Sequence, residues 1–226
     1  MPKSNIDKTE MKRLVKLLKY EQVAKANGFK YIAGIDEAGR GPLAGPVVAA
    51  ACIIEEGVYF EGINDSKQLT EDKRKDLFIK LTSHKKVFFG VGEISHIEID
   101  HLNIYQATIK AMKMAVNKLP LVPDYLLVDG MNISYFNIPS EKIIEGDTKS
   151  QSIAAASIIA KETRDQLMRE FHEMWPQYGF KDHKGYGTKK HMEAIEKYGT
   201  CPIHRLSFKP CKPILVDHTA EFTLSY

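Results

Sequence analysis

The sequence has few cysteines, no long apolar run and little net charge. Its three cysteines are an odd number in 226 residues, and with no evident secretory leader we expect them to be reduced in the cytoplasm. No stretch approaches the roughly 20 apolar residues of a membrane-spanning helix, so we expect no membrane partner. The formal charge of +3 is too small to indicate nucleic-acid binding by itself.

A zinc site is a poor explanation of the cysteines near the C-terminus. Cys201, His204 and Cys211 would supply three ligands, but a fourth ligand and the paired spacing typical of structural zinc sites are missing. We therefore predict that the cysteines are packing residues.

Hydrophobic periodicity predicts an α/β protein. The length fits one sizeable domain with a small appendage. Strands are predicted at residues 31–36, 47–54, 87–93, 125–128 and 142–145. Helices are predicted at residues 9–26, from Thr70, after Ser95, at residues 150–173 and after Tyr186.

Carboxylates follow two of the predicted strands. Asp36 and Glu37 end the first strand, before a sharp glycine-containing turn, and Asp129 ends another. Ends of neighbouring strands can converge, and clustered carboxylates are the ligands that Mg²⁺ prefers. Two divalent ions about 3.5 to 4 Å apart can activate water and stabilise the leaving oxygen in phosphodiester hydrolysis. Taken alone, Asp36 and Glu37 would suit a turn with solvated acids, and Asp147 a helix N-terminus.

Five segments resemble ribonuclease HII, the type 2 ribonuclease H family. They are DEAGRG at 36–41, NDSKQL at 64–69, LLVDG at 126–130, GDTKSQSIAAASIIAKETRD at 146–165 and HKGYGT at 183–188. The segments follow the family's order. The resemblance implies a ribonuclease H-like mixed five-stranded sheet flanked by helices, with a small helical C-terminal appendage.

The resemblance also suggests a division of the chain into four parts. Residues 1–30 would form an N-terminal helix packed on the core, and residues 31–175 the ribonuclease H-like catalytic domain. Residues 176–212 would form a helical appendage that completes the substrate groove, and residues 213–226 a tail.

The function implied by the resemblance is that of a divalent-metal-dependent endoribonuclease. It would cleave the RNA strand of RNA–DNA hybrids and cut at ribonucleotides embedded in duplex DNA, leaving 3′-hydroxyl and 5′-phosphate ends. A two-metal-ion mechanism with Mn²⁺ or Mg²⁺ is implied, as is a role in removing misincorporated ribonucleotides and RNA primers during DNA repair and replication. The catalytic acids would be Asp36, Glu37, Asp129 and Asp147, with the first three as direct metal ligands.

Substrate contacts are implied by the same resemblance. The glycine loop of Gly39, Arg40 and Gly41 would read the ribose 2′-hydroxyl, and Tyr186 would pack against the following deoxyribose. Lys67 and Lys184 are the expected phosphate contacts. Weaker phosphate candidates are Lys149, Lys161, Arg164, Ser66 and Ser150. Asp165 is expected at the surface or behind the metal ligands, and His191 on the appendage's exposed face.

Other classes of protein fit the motifs less well. A DNA junction resolvase also needs clustered acids, yet it has no evident use for the glycine loop or Tyr186. A non-catalytic nucleic-acid-binding module would be marked by loss of one of the acids. A nucleotide-binding protein would need glycines upstream of residues 148–150, where they are missing. We expect a monomer, with a sliding clamp as a candidate partner of the tail at residues 221–224.

Overall fold

The computed structural model describes residues 6–133 and 137–212. Its strands are β1 (Ile32–Ala38), β2 (Val47–Ile54), β3 (Val87–Ile94), β4 (Tyr125–Asp129) and β5 (Ser140–Ile143). They form one sheet in the order β3–β2–β1–β4–β5. The β2 strand pairs antiparallel with β1 and β3, whereas β4 pairs parallel with β1 and β5. This mixed five-stranded sheet confirms the predicted architecture.

Eight α-helices surround the sheet in the described parts of the chain. They are α1 (Lys8–Leu17), α2 (Lys19–Ala26), α3 (Glu71–Ser83), α4 (His96–Leu102), α5 (Ile104–Asn117), α6 (Gln151–Met174), α7 (Phe180–His183) and α8 (Lys189–Tyr198). The predicted N-caps are confirmed, because the Thr70 hydroxyl accepts from the Lys73 N–H and the Ser95 hydroxyl from the Glu98 N–H. None of these helices is long and apolar enough to cross a membrane.

Three predicted elements differ from the structure. The helix predicted at residues 9–26 is broken at Leu18, whose N–H donates to the Val15 carbonyl at 3.2 Å and tightens the last turn of α1. The helix predicted after Ser95 is broken at Asn103, which has a positive φ of 67° and caps α5 with its side chain. The last strand lies two residues earlier than predicted, because its pairing with β4 ends at Asp129 and Ile143.

The two faces of the sheet carry separate apolar layers. Alternate β2 residues separate them: Ala49 and Ala51 pack with α5, whereas Ala50 and Cys52 pack with α6. The closest approach is at Gly34 in β1, where a Cβ atom would lie 2.1 Å from the Ser152 carbonyl carbon. Only glycine fits there, and it allows the N-terminus of α6 to lie against the middle of β1.

A third apolar cluster lies under the C-terminal helices. It joins Met168 of α6 to Phe180 of α7, Ala194 of α8 and Ile203, and it includes Ala44 from the loop after β1. Cys52, Cys201 and Cys211 are all buried free thiols, as expected of packing residues. The C-terminal helices therefore pack directly on the loop that follows Asp36 and Glu37.

Candidate active site

Three of the predicted acids come together at one end of the sheet. Asp36 lies near the end of β1 and Asp129 ends the parallel neighbour β4. Asp147 lies in a short 3₁₀ turn, Gly146–Thr148, just before α6. One carboxylate oxygen from each of the three lies within 4.8 Å of the others. This group is called the acid cluster below.

Backbone N–H groups hold two of these carboxylates in place. The Glu37 N–H donates to Asp36 Oδ1 at 2.7 Å, and the Gly146 N–H donates to Asp129 Oδ1 at 2.7 Å. Gly146 can approach so closely because it has no side chain; a Cβ atom there would lie 2.6 Å from the Ile153 Cδ1 atom. The turn before α6 thus fixes Asp129 and presents Asp147 beside it.

Glu37, the fourth predicted acid, lies beside the acid cluster but outside it. Its Oε1 accepts from Arg40 Nη1 at 3.2 Å. Its Oε2 is buried and has no hydrogen-bond partner among the described residues. A buried carboxylate oxygen without a partner is costly, and a cation is one way to satisfy it. The direct-ligand role of Glu37 stays a prediction.

The acids strongly perturb one another. Burial, followed by the charges of Glu37 and Asp129, holds the pKa of Asp36 well above its usual range. Burial, followed by the charge of Asp65, raises the pKa of Asp147 to about 6. Burial also raises the pKa of Asp129. Without a counter-charge, ionising these carboxyl groups together is costly, so the group is electrostatically prepared for cations.

The donor set of the acid cluster fits a hard divalent cation. All three ligands offer carboxylate oxygen, which suits Mg²⁺ or Mn²⁺ and gives no preference for softer metals. Among the described residues, no other group of three His, Cys, Asp or Glu side chains has this spacing. The zinc site considered for Cys201, His204 and Cys211 is therefore not formed.

The two predicted phosphate-binding lysines have different environments. Lys67 is 75% exposed, and its Nζ lies 4.0 Å from Asp147 Oδ2, so it can reach a substrate at the acid cluster. Lys184 is buried, and its ammonium donates to the Lys181 carbonyl. A phosphate contact by Lys184 stays a prediction and would require its side chain to move.

The glycine loop and Tyr186 line an open groove of about 530 Å³, and Glu37 is also part of its lining. A Cβ atom on Gly41 would lie 3.5 Å from Tyr186 Cε1. The Tyr186 side chain is 47% exposed. Gly39 has a positive φ of 97°, a conformation that few residues other than glycine adopt. The predicted ribose-reading residues therefore share one groove with Glu37 and with Lys67, whose Nζ lies 4.0 Å from Asp147 Oδ2.

Two buried arginines hold the loop after β1, which includes the glycine loop. Arg205 donates to the carbonyls of Gly39 at 2.6 Å, Arg40 at 3.0 Å and Gly45 at 2.9 Å. Burial lowers its pKa, yet its donors remain matched to carbonyl oxygens. Nothing in the motifs singled out Arg205, since a lone arginine in a C-terminal segment carries no signal of burial.

Arg164 is the second of these arginines, and its predicted phosphate role is wrong. Its guanidinium is 1% exposed. It donates to the carbonyls of Pro46 at 2.9 Å, Lys184 at 2.9 Å and Ala44 at 3.1 Å. Each of its three nitrogens already bonds a backbone carbonyl inside the protein, so Arg164 is not presented to a phosphate. Arg164 instead joins the loop after β1 to the segment that carries Tyr186.

Three other predictions are corrected by burial. Ser150 is fully buried and donates to Glu21 Oε1 at 2.6 Å, so it is no phosphate donor. Asp165 is not at the surface; it is buried and pairs with Arg74 at 3.3 Å. His191 is not on an exposed face. It is fully buried, and its Nδ1 bonds the Tyr186 carbonyl at 2.9 Å. The sequence does not show whether a serine, aspartate or histidine will find a buried hydrogen-bond or ion-pair partner.

Two residues near the acids were not predicted. Asp65 lies inside the NDSKQL segment and accepts from the Lys67 N–H at 2.9 Å, while its charge raises the pKa of Asp147. Ser157 of α6 is buried, and its hydroxyl lowers the otherwise raised pKa of Asp36. The motif context was the only signal available for either residue.

The chain is similar to ribonucleases H of type 2. Residues 33–211 match the family model of ribonuclease HII. Ribonuclease HII of Acetivibrio thermocellus is 54% identical over 199 residues, covering 88% of this chain and 77% of the relative.

Solved structures share the fold. The ribonuclease H2 from Pyrococcus horikoshii has a TM-score of 0.68 at 28% identity, covering 80% of this chain and 95% of that one. Ribonuclease HII from Archaeoglobus fulgidus, solved as a complex with PCNA, has a TM-score of 0.66 at 22% identity, covering 79% and 95%. The second likeness concerns the fold alone.

Proposed function

The chain belongs to the ribonuclease HII family, whose members are type 2 ribonucleases H, and from that premise we propose its reaction in detail. It cleaves the RNA strand of RNA–DNA hybrids and cuts at ribonucleotides embedded in duplex DNA, leaving 3′-hydroxyl and 5′-phosphate ends. The observation that carries this proposal is the acid cluster beside the groove of the glycine loop and Tyr186; Lys67 lines that groove and its Nζ lies 4.0 Å from Asp147 Oδ2.

Asp36, Asp129 and Asp147 would hold divalent Mg²⁺ or Mn²⁺ ions, and Glu37 would join them through its unpartnered oxygen. When bound, two such ions supply a nucleophilic water and stabilise the leaving oxygen. The contribution of the chain itself is to fix the carboxylates through the N–H groups of Glu37 and Gly146. Lys67 is placed to balance the charge of a substrate phosphate.

The glycine loop supports ribose recognition through its backbone. The carbonyls of Gly39 and Arg40 point towards Arg205. In a trans peptide the next N–H points the opposite way, so the N–H groups of Arg40 and Gly41 are directed away from Arg205. We propose that this side of the loop bonds the 2′-hydroxyl, while the Tyr186 ring packs on the following sugar and admits no hydroxyl there.

The test compares three duplexes: one with a single ribonucleotide in DNA, one RNA–DNA hybrid and one of DNA alone. Each is incubated with Mg²⁺, Mn²⁺ or a chelator, the ends are mapped, and Asp36→Asn is the inactive control. We expect metal-dependent cutting on the 5′ side of the lone ribonucleotide and within the hybrid, with DNA left intact.

Other results would separate the parts of the proposal. Cutting of hybrids alone would retain the acid cluster and reject the junction-reading role of Gly39, Arg40, Gly41 and Tyr186. Cutting of a DNA four-way junction would favour a resolvase. No cutting of any duplex, with binding retained, would leave a nucleic-acid-binding module.

The cellular role follows from the reaction. We propose a monomer in the cytoplasm that removes misincorporated ribonucleotides and RNA primers. Recruitment by a sliding clamp through residues 213–226 stays part of the proposal, and those residues lie outside the described chain. The Archaeoglobus fulgidus protein provides a precedent in its complex with PCNA.

A further inference from the structure

Positive charge is concentrated in the first 30 residues. This segment has eight Lys and Arg against three Asp and Glu, a net charge of +5, whereas the whole chain has +3. The remaining 196 residues therefore carry a net charge of −2. The segment also precedes residues 33–211, the part that matches the family model. An enzyme of nucleic acid thus has a catalytic body that is weakly acidic, with an excess of positive charge on α1 and α2.

These helices form one wall of an open groove of about 550 Å³. Its lining includes Arg13, Lys16, Lys19, Tyr20, Asn64 and Lys149. The charge of Arg13 is already matched, since Glu10 accepts two bonds of 2.7 Å from it. Lys149 bonds the Ile144 carbonyl at 2.8 Å. Lys16 and Lys19 are exposed, and neither has an ion-pair partner in the described parts of the chain. This surface is called the N-terminal groove.

The other wall of the N-terminal groove consists of the loops that carry the acids. Asn64 directly precedes Asp65, and Thr148 and Lys149 directly follow Asp147. The groove of the glycine loop uses different residues of the same region, Ser66 and Lys67 among them. The two grooves therefore meet at the loop that bears Asp65, with Asn64 in one and Ser66 in the other.

We propose that the N-terminal groove is a second binding site for the phosphate backbone of the substrate duplex, with Lys16 and Lys19 as its contacts. The proposal rests on the proposed function. A duplex cut at the acid cluster continues beyond it and presents one negative charge for about every 1.7 Å of axis. Exposed lysines on an amphipathic helix are commonly just solvated; these two differ in lying next to the acids and in having no acidic partner.

The attraction also has an electrostatic reason. The acid cluster and its neighbours Glu37 and Asp65 repel a polyanion over the distance of a Debye length, about 8 Å at physiological salt. Lys16 and Lys19 would offset this repulsion on the side of the acids that lacks Lys67. In this arrangement the N-terminal segment, which lies outside the family match, extends the contact with the duplex and takes no part in the cleavage reaction.

The experiment compares Lys16→Ala/Lys19→Ala with a control, Lys80→Ala/Lys86→Ala. The control removes the same charge at the other end of the sheet, where Lys80 pairs with Asp76 at 2.6 Å and Lys86 with Glu55 at 3.7 Å. Alanine favours helix, so α1 and α2 should stay folded. The substrates are a short hybrid that covers only the acid cluster and glycine loop, and longer hybrids extended on one side or the other.

For the longer hybrid that reaches the groove, we expect kcat/KM of Lys16→Ala/Lys19→Ala to fall roughly tenfold. Its slope against log salt should fall by about 1 to 2, the value for two lost phosphate contacts. The kcat of Lys16→Ala/Lys19→Ala should not change, and neither should its kcat/KM on the short hybrid. The control variant should keep the kcat/KM and the salt slope of the unaltered protein on every substrate. Equal slopes for both variants would overturn the proposal, as would an equal loss on the short hybrid. No cleavage by the unaltered protein would instead reject the proposed function.

Discussion

At the scale of residues, Arg205 shows how a buried charged side chain can hold the backbone of an exposed loop in place. Its guanidinium bonds the carbonyls of Gly39, Arg40 and Gly45 and is fully buried. A buried charge is tolerated when its donors are all matched, and a guanidinium matches several carbonyls at fixed angles. The position of the glycine loop therefore depends on a residue 166 positions further along the chain.

Replacing Arg205 by lysine tests this dependence. Lysine keeps the charge but cannot reproduce the fork of bonds, so carbonyls are left without donors. We expect the free energy of unfolding to fall by about 3 kcal/mol, the range for breaking a buried charged network. The ratio of kcat/KM for a single ribonucleotide to that for a hybrid should also fall. Urea unfolding and the two cleavage assays measure these effects.

Arg169→Lys is the matched control for Arg205→Lys. Arg169 is about one-third exposed and makes only long contacts, 3.5 Å to Glu71 and 3.8 Å to Glu162. We expect less than about 0.5 kcal/mol for it, as for exposed pairs. Equal losses in the two lysine variants would refute the special role of Arg205.

The sequence revealed the acids better than their supports. Asp36 and Asp129 could be predicted from the sequence because each lies at or near the end of an apolar strand. Asp147 could be predicted because of its motif. Arg164 was misassigned because an arginine gives the same sequence signal whether it is exposed or buried. Its partners are backbone carbonyls at positions 44, 46 and 184, and contacts to backbone leave no trace in residue types.

At the scale of elements, the C-terminal helices are joined to the glycine-loop groove through two histidines. The Tyr186 carbonyl can only accept, so His191 donates from Nδ1 and accepts at Nε2 from His204, 3.1 Å away. The Cys201 N–H then donates to His204 Nδ1 at 2.9 Å. The chain of bonds requires both rings to be neutral.

Acid should therefore loosen these helices. Burial lowers the pKa of His191 to about 4 from its ordinary 6.5. Its neutral form stabilises the fold fully above pH 6.5, and the stability is lost as pH falls towards 4, because only the unfolded chain takes up the proton. The loss should reach about 3 kcal/mol. Urea unfolding from pH 7 to pH 4 measures it.

His191→Gln should flatten this pH dependence by about one proton, since glutamine does not titrate in that range. The exposed His101 provides the control, and His101→Gln should leave the profile as it is. An unchanged profile in His191→Gln would show that the acid sensitivity arises elsewhere.

The positions of helices and strands could be predicted where the hydrophobic periodicity and the helix-capping residues indicated the same boundaries. Thr70 and Ser95 marked helix starts correctly, and the small residues of α6 indicated close packing on the sheet. Breaks were missed at Leu18 and Asn103, because the apolar pattern continues through both and only the backbone geometry changes. The strand order also required long-range pairing that periodicity does not encode.

At the scale of the whole molecule, the acid cluster stores repulsion that a cation would relieve. The raised pKa values of Asp36, Asp129 and Asp147 mean that ionising these groups destabilises the folded chain. Any cation that binds only the folded state stabilises it further.

We therefore expect Mn²⁺ or Mg²⁺ to raise the melting temperature at pH 7.5, and a chelator to reverse the rise. Asp36→Asn should melt higher than the unaltered protein without metal, and its response to metal should be smaller. Scanning calorimetry without metal and with an excess of roughly 5 to 10 equivalents measures the melting temperature and its response to metal. A full metal response in Asp36→Asn would argue against Asp36 as a ligand.

The bonds from Arg205 to the glycine loop also set an order of assembly. Ribosomes release the N-terminal part of a chain first, and folding begins as it emerges. The three carboxylates of the acid cluster all lie within residues 36–147, whereas the loop after β1 is also bonded by Arg205. During synthesis, the three carboxylates leave the ribosome before the residue that fixes the glycine loop. The glycine loop, to which we assign substrate selection, is thus completed after the carboxylates to which we assign cleavage.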